Sequence, residues 1–439
     1  MSALDSRGSR RTRPDSARAL ALRVIRRVVE SGAYSNLALA PALRESKLSA
    51  RDRQFAAELV YGTLRRKLIL DAEIARASTR SLRRIDPEAV ALLRLGAFQL
   101  RDTRVPVHAA VGETVGLSGP RHKGFVNAVL RNLAATPPER PEGATAADIS
   151  ARTGLQPWTV EELGKLLPAG EVEPAAAALA SPAALCLRTN SCRTTPEQLI
   201  RALKEFAPQP GRLHPDVVQI SSAVPSLLPG YQEGWFAVQD ESSVVVAAAV
   251  EPMPGERILD ACAGPGGKAA HLACTVGPTG TVVAADARFH RVELVVRSAE
   301  RLGVRLSPLV QDAAQPSLRA ERFDAVLVDA PCSGVGAARR RPELLWRPEK
   351  AQLAGLARLQ VSILAGVADQ VKPGGRLIYS VCTFPRAETD AAVRAFLAKR
   401  PDFEPADVPG PDGPAPVHRL WPHRHGTDAM FFAGFRRTG

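Results

Sequence analysis

The sequence predicts a multidomain chain: an N-terminal all-α bundle, a small α+β domain, and a C-terminal α/β domain on a doubly wound parallel sheet. Three observations carry this. At 439 residues the chain exceeds one ordinary domain. Apolar residues recur at helical spacing through the first third. After residue 250, short apolar runs alternate with helical stretches, the pattern of strands buried on both faces and joined by crossover helices.

The elements follow in order. Residues 1–14 are polar and charged and are expected to form a disordered basic tail. The domain over 15–140 is helical. "SARALALRVIRRVVES" sets Ala21, Val24, Ile25 and Val28 on one face. "DPEAVALLRLGAFQL" opens with Asp86 at the N-cap and Pro87 at the first helical position, before a stripe of Val90, Leu93, Ala97 and Leu100. "KGFVNAVLRNLA" repeats the arrangement with Phe125, Val126, Val129 and Leu133. The proline-rich "TPPERPEG", 136–143, reads as a linker. Residues 141–235 combine that linker with a small α+β domain, because "LCLRTNSCRTTPEQLIRALKEF" reads as strand, loop and helix. From 236 to 439 strands are expected at 257–261, 280–286, 305–312, 323–331 and 375–382, with helices such as 287–302 and 351–371 between them.

Composition narrows the class. With 45% hydrophobic and 23% charged residues the chain is that of a soluble globular protein. Its longest aliphatic run, 244–250, is far short of a bilayer span, and "MSALDSRGSRRTRP" has no apolar stretch behind its arginines, so the expected address is cytoplasmic, with no membrane partner. Six cysteines are too sparse for a disulfide framework and none forms a CxxC pair, so free thiols and no metal are expected. His423 and His425 lack further ligands at metal spacing and fall in a loop before the last strand; His271 reads as structural. Charge is uneven: residues 1–150 hold 26 Lys+Arg against 15 Asp+Glu, net +11, and the remainder 32 against 30, net +2. A basic front on a near-neutral body suggests a polyanion partner. Clusters at Arg65-Arg66-Lys67 and Arg339-Arg340-Arg341 strengthen it, though solvated faces give the same pattern.

In a doubly wound sheet, ligands bind outside the carboxyl ends of the strands. "DACAGPGGK" follows the first of these strands, with Gly264, Gly266 and Gly267 letting the backbone pass close to a ligand. Tight turns also want glycine, so the loop alone is weak evidence. Asp286 ends the next strand, where an acid accepts ribose hydroxyls, and Asp312 ends the third, beside an adenine edge. Such a rim suits S-adenosylmethionine, cationic at sulfur, better than NADP or ATP. The fourth strand then supplies Asp329 and Cys332, the fifth Cys382. A lone cysteine is usually packing. Two at adjacent strand ends beside a methyl donor point to pyrimidine chemistry: a thiolate added to carbon 6 makes carbon 5 nucleophilic, with Asp329 placed to serve N3.

"DACAGPGGK", "DAPCSGVG" followed by "RRRPELLW", "YSVCTFPRAE" and "WPHRHGTDAMFFAGF" resemble the motifs of the Fmu/Sun family of RNA cytosine-C5 methyltransferases, whose catalytic domain is Rossmann-like. "RDRQFAAELVYGTLRR" and "VPVHAAVGETV" through "KGFVNAVLRNL" resemble the NusB-like RNA-binding domain fused to the bacterial ribosomal RNA type. The likeness spans about residues 16–437. It implies Cys382 as nucleophile, Cys332 as the group releasing product, and cofactor contacts from Cys262, Ala263, Gly264, Pro265, Gly266, Gly267, Lys268, Asp286, Asp312 and Asp329. It implies small-subunit ribosomal RNA as partner, with a monomer favoured. Val381 stands where the family usually has threonine, and Pro385 comes one residue early, while Glu388 keeps the family's glutamate. Two other readings are a non-catalytic RNA-binding assembly or antitermination factor, and a DNA enzyme using Pro331-Cys332; Cys382 and the helical front argue against the latter.

Overall fold

In a computed structural model of the chain, residues 16–438 are described, apart from 140, 222 and 319–322. The expected tail, 1–14, lies outside the described residues. The chain forms two compact units.

The first unit is helical and reaches Gly143, with 151–154 and Arg341–Trp346 added. Its centre is the helix Pro87–Asp102, buried almost all round through Leu92, Leu93, Leu95, Ala97 and Phe98. Asp86 caps it, accepting from the Glu88 amide at 2.9 Å, and Pro87 begins it. Around it lie Ala17–Glu30, Ala50–Arg65, Lys67–Ala77, Val107–Leu117 and Pro120–Ala135, whose apolar faces close one core. Leu100 and Phe125, expected on apolar stripes, are only partly buried at its edge. The segment Arg341–Trp346 belongs to this core. Trp346 packs on it and its Nε1 donates to the Leu64 carbonyl at 2.9 Å.

The second unit holds two sheets. The smaller has the strands β1 (Leu185–Thr189), β2 (Gln209–Pro210), β3 (Val217–Ile220) and β4 (Phe236–Val238) in the order β2-β3-β1-β4, all antiparallel. Leu187, Val218, Ile220 and Phe236 pack with Leu199 and Leu203 of the following helical stretch. The larger contains β5 (Arg257–Asp260), β6 (Thr281–Asp286), β7 (Ser307–Val310), β8 (Phe323–Asp329), β9 (Val371–Val381), β10 (Phe403–Pro405), β11 (Val417–Leu420) and β12 (Met430–Arg437). Its order is β10-β12-β9-β8-β5-β6-β7, with β11 beside β12. β7, β6, β5, β8 and β9 run parallel, whereas β12 runs antiparallel to β9.

Strand alternation explains the layers. Leu259, Val326, Val328 and Tyr379 face the helices Leu353–Ala368 and Asp390–Lys399. Their neighbours Ile258, Ala325, Leu327 and Ile378 face Glu241–Ala248, Gly267–Val276 and Phe289–Leu302. The central strands are apolar on both sides because both faces are covered. The stretch Lys350–Ala368 is long and apolar enough to cross a membrane by composition, yet it buries Val361, Leu364 and Val367 against this sheet. Chain order reverses between β5 and β8, and the crevice for a ligand opens at their carboxyl ends.

One expectation is corrected here. Cys192 and Cys274 are joined as a disulfide across 82 residues, their Cα atoms 5.7 Å apart, instead of being free thiols. Sequence spacing could not show this, because the pairing arises only when the turn after β1 meets the helix Gly267–Val276. Cys186, Cys262, Cys332 and Cys382 are not joined in disulfides.

Candidate functional site

At the carboxyl ends of β5, β8 and β9 lies a cavity of about 240 Å³. Its wall includes Asp260, Cys262, Ala263, Gly264, Pro265, Gly267, Lys268, Asp329 and Cys382, with Gln239, Asp240, Ser242, Asp428 and Met430 opposite. The glycine turn is shaped by necessity. A Cβ on Gly264 would lie 2.7 Å from Asp286 Oδ2 and 2.6 Å from Arg291 Nε, and Gly266 has φ of 105°. The Gly264–Pro265 peptide is cis.

Lys268 Nζ donates to Asp329 Oδ2 at 2.6 Å, and Ser380 Oγ donates to Asp329 Oδ1 at 2.8 Å. Burial works to lower the Lys268 pKa, but Asp329 and Asp260 outweigh it and leave it raised, so the ammonium holds its charge. Asp260 is buried, its Oδ1 has no hydrogen-bond partner, and burial together with the Asp329 charge pushes its carboxyl up to about 7 against the pull of Lys268.

The two cysteines face one another, with Cys332 Sγ 3.5 Å from Cys382 Sγ. The Cys332 thiol is pushed well above its ordinary value, first by its hydrogen bond to Cys382, then by burial and by the charges of Cys382, Glu388 and Asp329. Cys332 therefore keeps its proton. Burial, with Asp260 and Asp329, likewise keeps Cys262 a thiol.

Other residues expected at the rim are engaged elsewhere. Asp286 is buried, accepting from the Gly264 amide at 3.2 Å and the Arg288 amide at 3.1 Å and pairing with Arg291 at 3.2 Å, so it braces the glycine turn from behind. Asp312 is exposed and accepts from the Ala314 amide at 2.9 Å. Neither lines the cavity, nor do Gly266 and Cys332. Arg339 and Arg340, of the basic cluster read as a polyanion contact or a solvated face, are anchors within the fold. Arg339 donates to the Gly426 and Thr427 carbonyls, and Arg340 pairs with Asp240 and, at 3.4 Å, with Asp428. His423 Nε2 is 2.9 Å from Glu171 in a short helix, Pro422–His425. His214, Asp216 and His271 gather donor atoms within 4.8 Å of one another. His214 Nδ1 there accepts the Asp216 amide at 3.2 Å, and the buried Arg188 guanidinium bears on both rings, so the cluster reads as packing.

Residues 247–436 match the family described as 16S rRNA methyltransferase RsmB/F, and residues 15–135 match the NusB family. A putative methyltransferase of Mycobacterium tuberculosis (strain H37Rv) is 40% identical, the match covering 98% of this chain and 99% of that one. The probable ribosomal RNA small subunit methyltransferase B of Bacillus subtilis (strain 168) is 34% identical over 97% of this chain and 99% of its own. The chain belongs to the ribosomal RNA small subunit methyltransferase B family. The solved structure of PH0851 superposes with a TM-score of 0.85 and 25% identity, covering 97% of this chain and 99% of the other. NSun6 from Pyrococcus horikoshii, solved with SFG, shares the fold at a TM-score of 0.57 and 22% identity over 64% of this chain and 98% of its own.

As a member of this methyltransferase family the enzyme uses S-adenosylmethionine, and the residues present fit that cofactor. A glycine turn that admits no side chain lies at the start of a helix, and beside it a buried carboxylate with one oxygen lacking a partner, Asp260, lines a wall that also carries Asp240, Asp329 and Asp428. A ligand carrying a sulfonium and an ammonium matches that wall. Sequence reasoning missed Asp240, Asp260 and Asp428. Asp260 had a signal, the acid opening "DACAGPGGK", but Asp240 and Asp428 come from distant segments and show no local pattern.

Proposed function

We propose that the protein methylates carbon 5 of cytosine in RNA, in the 16S ribosomal RNA of the small subunit, through a covalent adduct between Cys382 and carbon 6. The observation that carries this is the pair of sulfurs 3.5 Å apart, Cys382 in the wall of the cofactor cavity and the proton-retaining Cys332 behind it. Packing alone has no use for two facing thiols beside a Lys268–Asp329 pair.

The residues divide the work. The Cys382 thiolate forms the bond to carbon 6, and the electron pair displaced from the 5,6 double bond moves toward N3. Asp329 faces that nitrogen, with the Lys268 ammonium behind it as proton source. Bound S-adenosylmethionine supplies an electrophilic methyl group to carbon 5. Release passes the carbon 5 proton to a base that carries it to solvent, returns the N3 proton to the Asp329–Lys268 pair, re-forms the 5,6 double bond and breaks the carbon–sulfur bond to return the Cys382 thiolate, with the Cys332 thiol assisting by hydrogen-bonding the departing sulfur. RNA as substrate is supported by the family and by the net +11 of residues 1–150.

The test is incubation with S-adenosylmethionine carrying a labelled methyl group and unmethylated ribosomal RNA, with denaturing gels to reveal protein–RNA adducts. Cytosine C5 label should vanish in Cys382→Ala, and Cys332→Ala should accumulate a trapped adduct. An adduct in Cys382→Ala would exchange the two roles. Tight RNA binding with neither label nor adduct in any form would leave the non-catalytic reading.

A further inference from the structure

We propose that Glu388 is the positioning residue that sets the gap between the Cys332 and Cys382 sulfurs. The inference rests on the two-cysteine mechanism above and adds the group that holds its geometry. Each cysteine rides a loop leaving a different strand, β8 or β9, and no covalent link joins the loops. Besides the bond from the Gly336 amide to the Cys382 carbonyl at 3.1 Å, a buried side-chain network joins them. The residue after each cysteine carries a hydroxyl, Ser333 and Thr383, and these hydroxyls are 2.7 Å apart. Glu388 receives the Ser333 amide at 2.9 Å on Oε1 and the Ser333 hydroxyl at 2.6 Å on Oε2. Gln360, from the helix Leu353–Ala368, donates at 3.0 Å both to Glu388 Oε1 and to the Pro331 carbonyl. Cys332 is thereby held on both sides, through Pro331 and Ser333. The Glu388 carbonyl is fixed in turn by the Tyr379 hydroxyl at 2.7 Å.

Glu388 is fully buried and takes no part in the cavity wall. It therefore acts through the cysteines, not on substrate. Its partners are hydrogen-bond donors, and a buried carboxylate held this way is costly unless every bond is made. An acceptor with two oxygens can seize an amide and a hydroxyl of one residue together, which fixes the loop's position and its rotation.

The test uses the full-length protein with Glu388→Gln, Glu388→Ala and Ser333→Ala. Diamide reports the gap directly: two thiols lose two protons and two electrons to its N=N bond, giving a Cys332–Cys382 disulfide and a hydrazine, quantified by mass spectrometry of the peptide pair. Methyl transfer gives kcat, and calorimetry gives the cofactor Kd. Glu388→Gln should stay within about threefold of the native enzyme in both rates, since the amide oxygen accepts from Ser333 N and Gln360 while its nitrogen donates to Ser333 Oγ. Glu388→Ala should lose kcat on the order of 100-fold and cross-link more slowly, with cofactor Kd unchanged. Ser333→Ala, a smaller perturbation, should fall between. Unchanged cross-linking in both Glu388→Ala and Ser333→Ala would overturn the proposal, as would Gln and Ala variants losing cofactor binding together. Cross-linking that responds as stated, with no RNA methylation even in the native enzyme, would uphold the brace and overturn the catalytic reading.

Discussion

Burial pushes the Asp260 carboxyl up to about 7, with the neighbouring Asp329 charge in the same direction, while Lys268 opposes them. Without a bound cation the acid is therefore half protonated near neutrality, and its Oδ1 has no partner. A cationic ligand must meet it ionised. Cofactor affinity should thus tighten as pH rises through about 7 and level off above, weakening by up to about tenfold per unit below. The folding term has the opposite sense. The group's folded pKa is raised from 3.8, so its contribution to stability is fully present below that value and is lost as pH climbs through about 7. Calorimetric titration with S-adenosylmethionine between pH 5.5 and 8.5 checks the first effect, and thermal unfolding over the same range the second. Asp260→Asn should bind more weakly and show neither pH dependence; a native profile that stays flat would remove Asp260 from the cofactor contacts.

Among the elements, the helical bundle depends on close approach at glycine. A Cβ on Gly62 in the helix Ala50–Arg65 would fall 1.9 Å from the Phe98 ring of the central helix, which is itself packed. Gly62→Ala should therefore destabilise the protein by about 1–3 kcal/mol, read from denaturant unfolding with an unchanged m-value. A native-like midpoint would mean that Phe98 swings aside freely. Elements with strong periodicity and caps, such as Pro87–Asp102 and β5 through β9, were legible in the sequence, because local pattern and burial point the same way there. The antiparallel β10 and β11 beside β12 were not, since strands of three and four residues carry almost no periodic signal. The helices Ala146–Thr153, Pro157–Gly164 and Ala169–Leu179, in a region read as α+β, are too short for their stripes to stand out. At the site, the glycine loop, Lys268, Asp329 and Cys382, which line the cavity, were legible as a wall because each follows or ends a strand or opens the next helix in a recognisable string. Asp286 ends β6 as expected, whereas Asp312 lies two residues past β7, and both side chains turn to backbone amides, a local choice that strand-end position does not encode.

For the whole molecule, the decisive quantity is where unneutralised positive charge remains. The arginines at 339 and 340 are consumed inside the second unit, and in the first unit Arg66 and Lys67 are answered by Asp102 at 3.3 Å and Asp71 at 3.0 Å. Sequence clusters of basic residues are thus poor guides to the polyanion face, because runs of arginine are also what a protein uses to satisfy buried carbonyls and carboxylates. By contrast Arg121, Lys123 and Arg131 are all exposed on one helix, Pro120–Ala135, of the unit that carries most of the excess charge. If these three contact phosphates, replacing them together with Gln should lower RNA affinity and reduce the slope of log K against log salt by about two, since each neutralised phosphate contributes somewhat under one. Arg340→Gln, which strands the Asp240 and Asp428 carboxylates, should cost stability while leaving the slope as it was. Filter binding of ribosomal RNA from low to moderate salt measures both variants side by side. A slope that fell for Arg340→Gln and held for the triple variant would move the polyanion contact off this helix and onto the second unit, against the charge distribution of the chain.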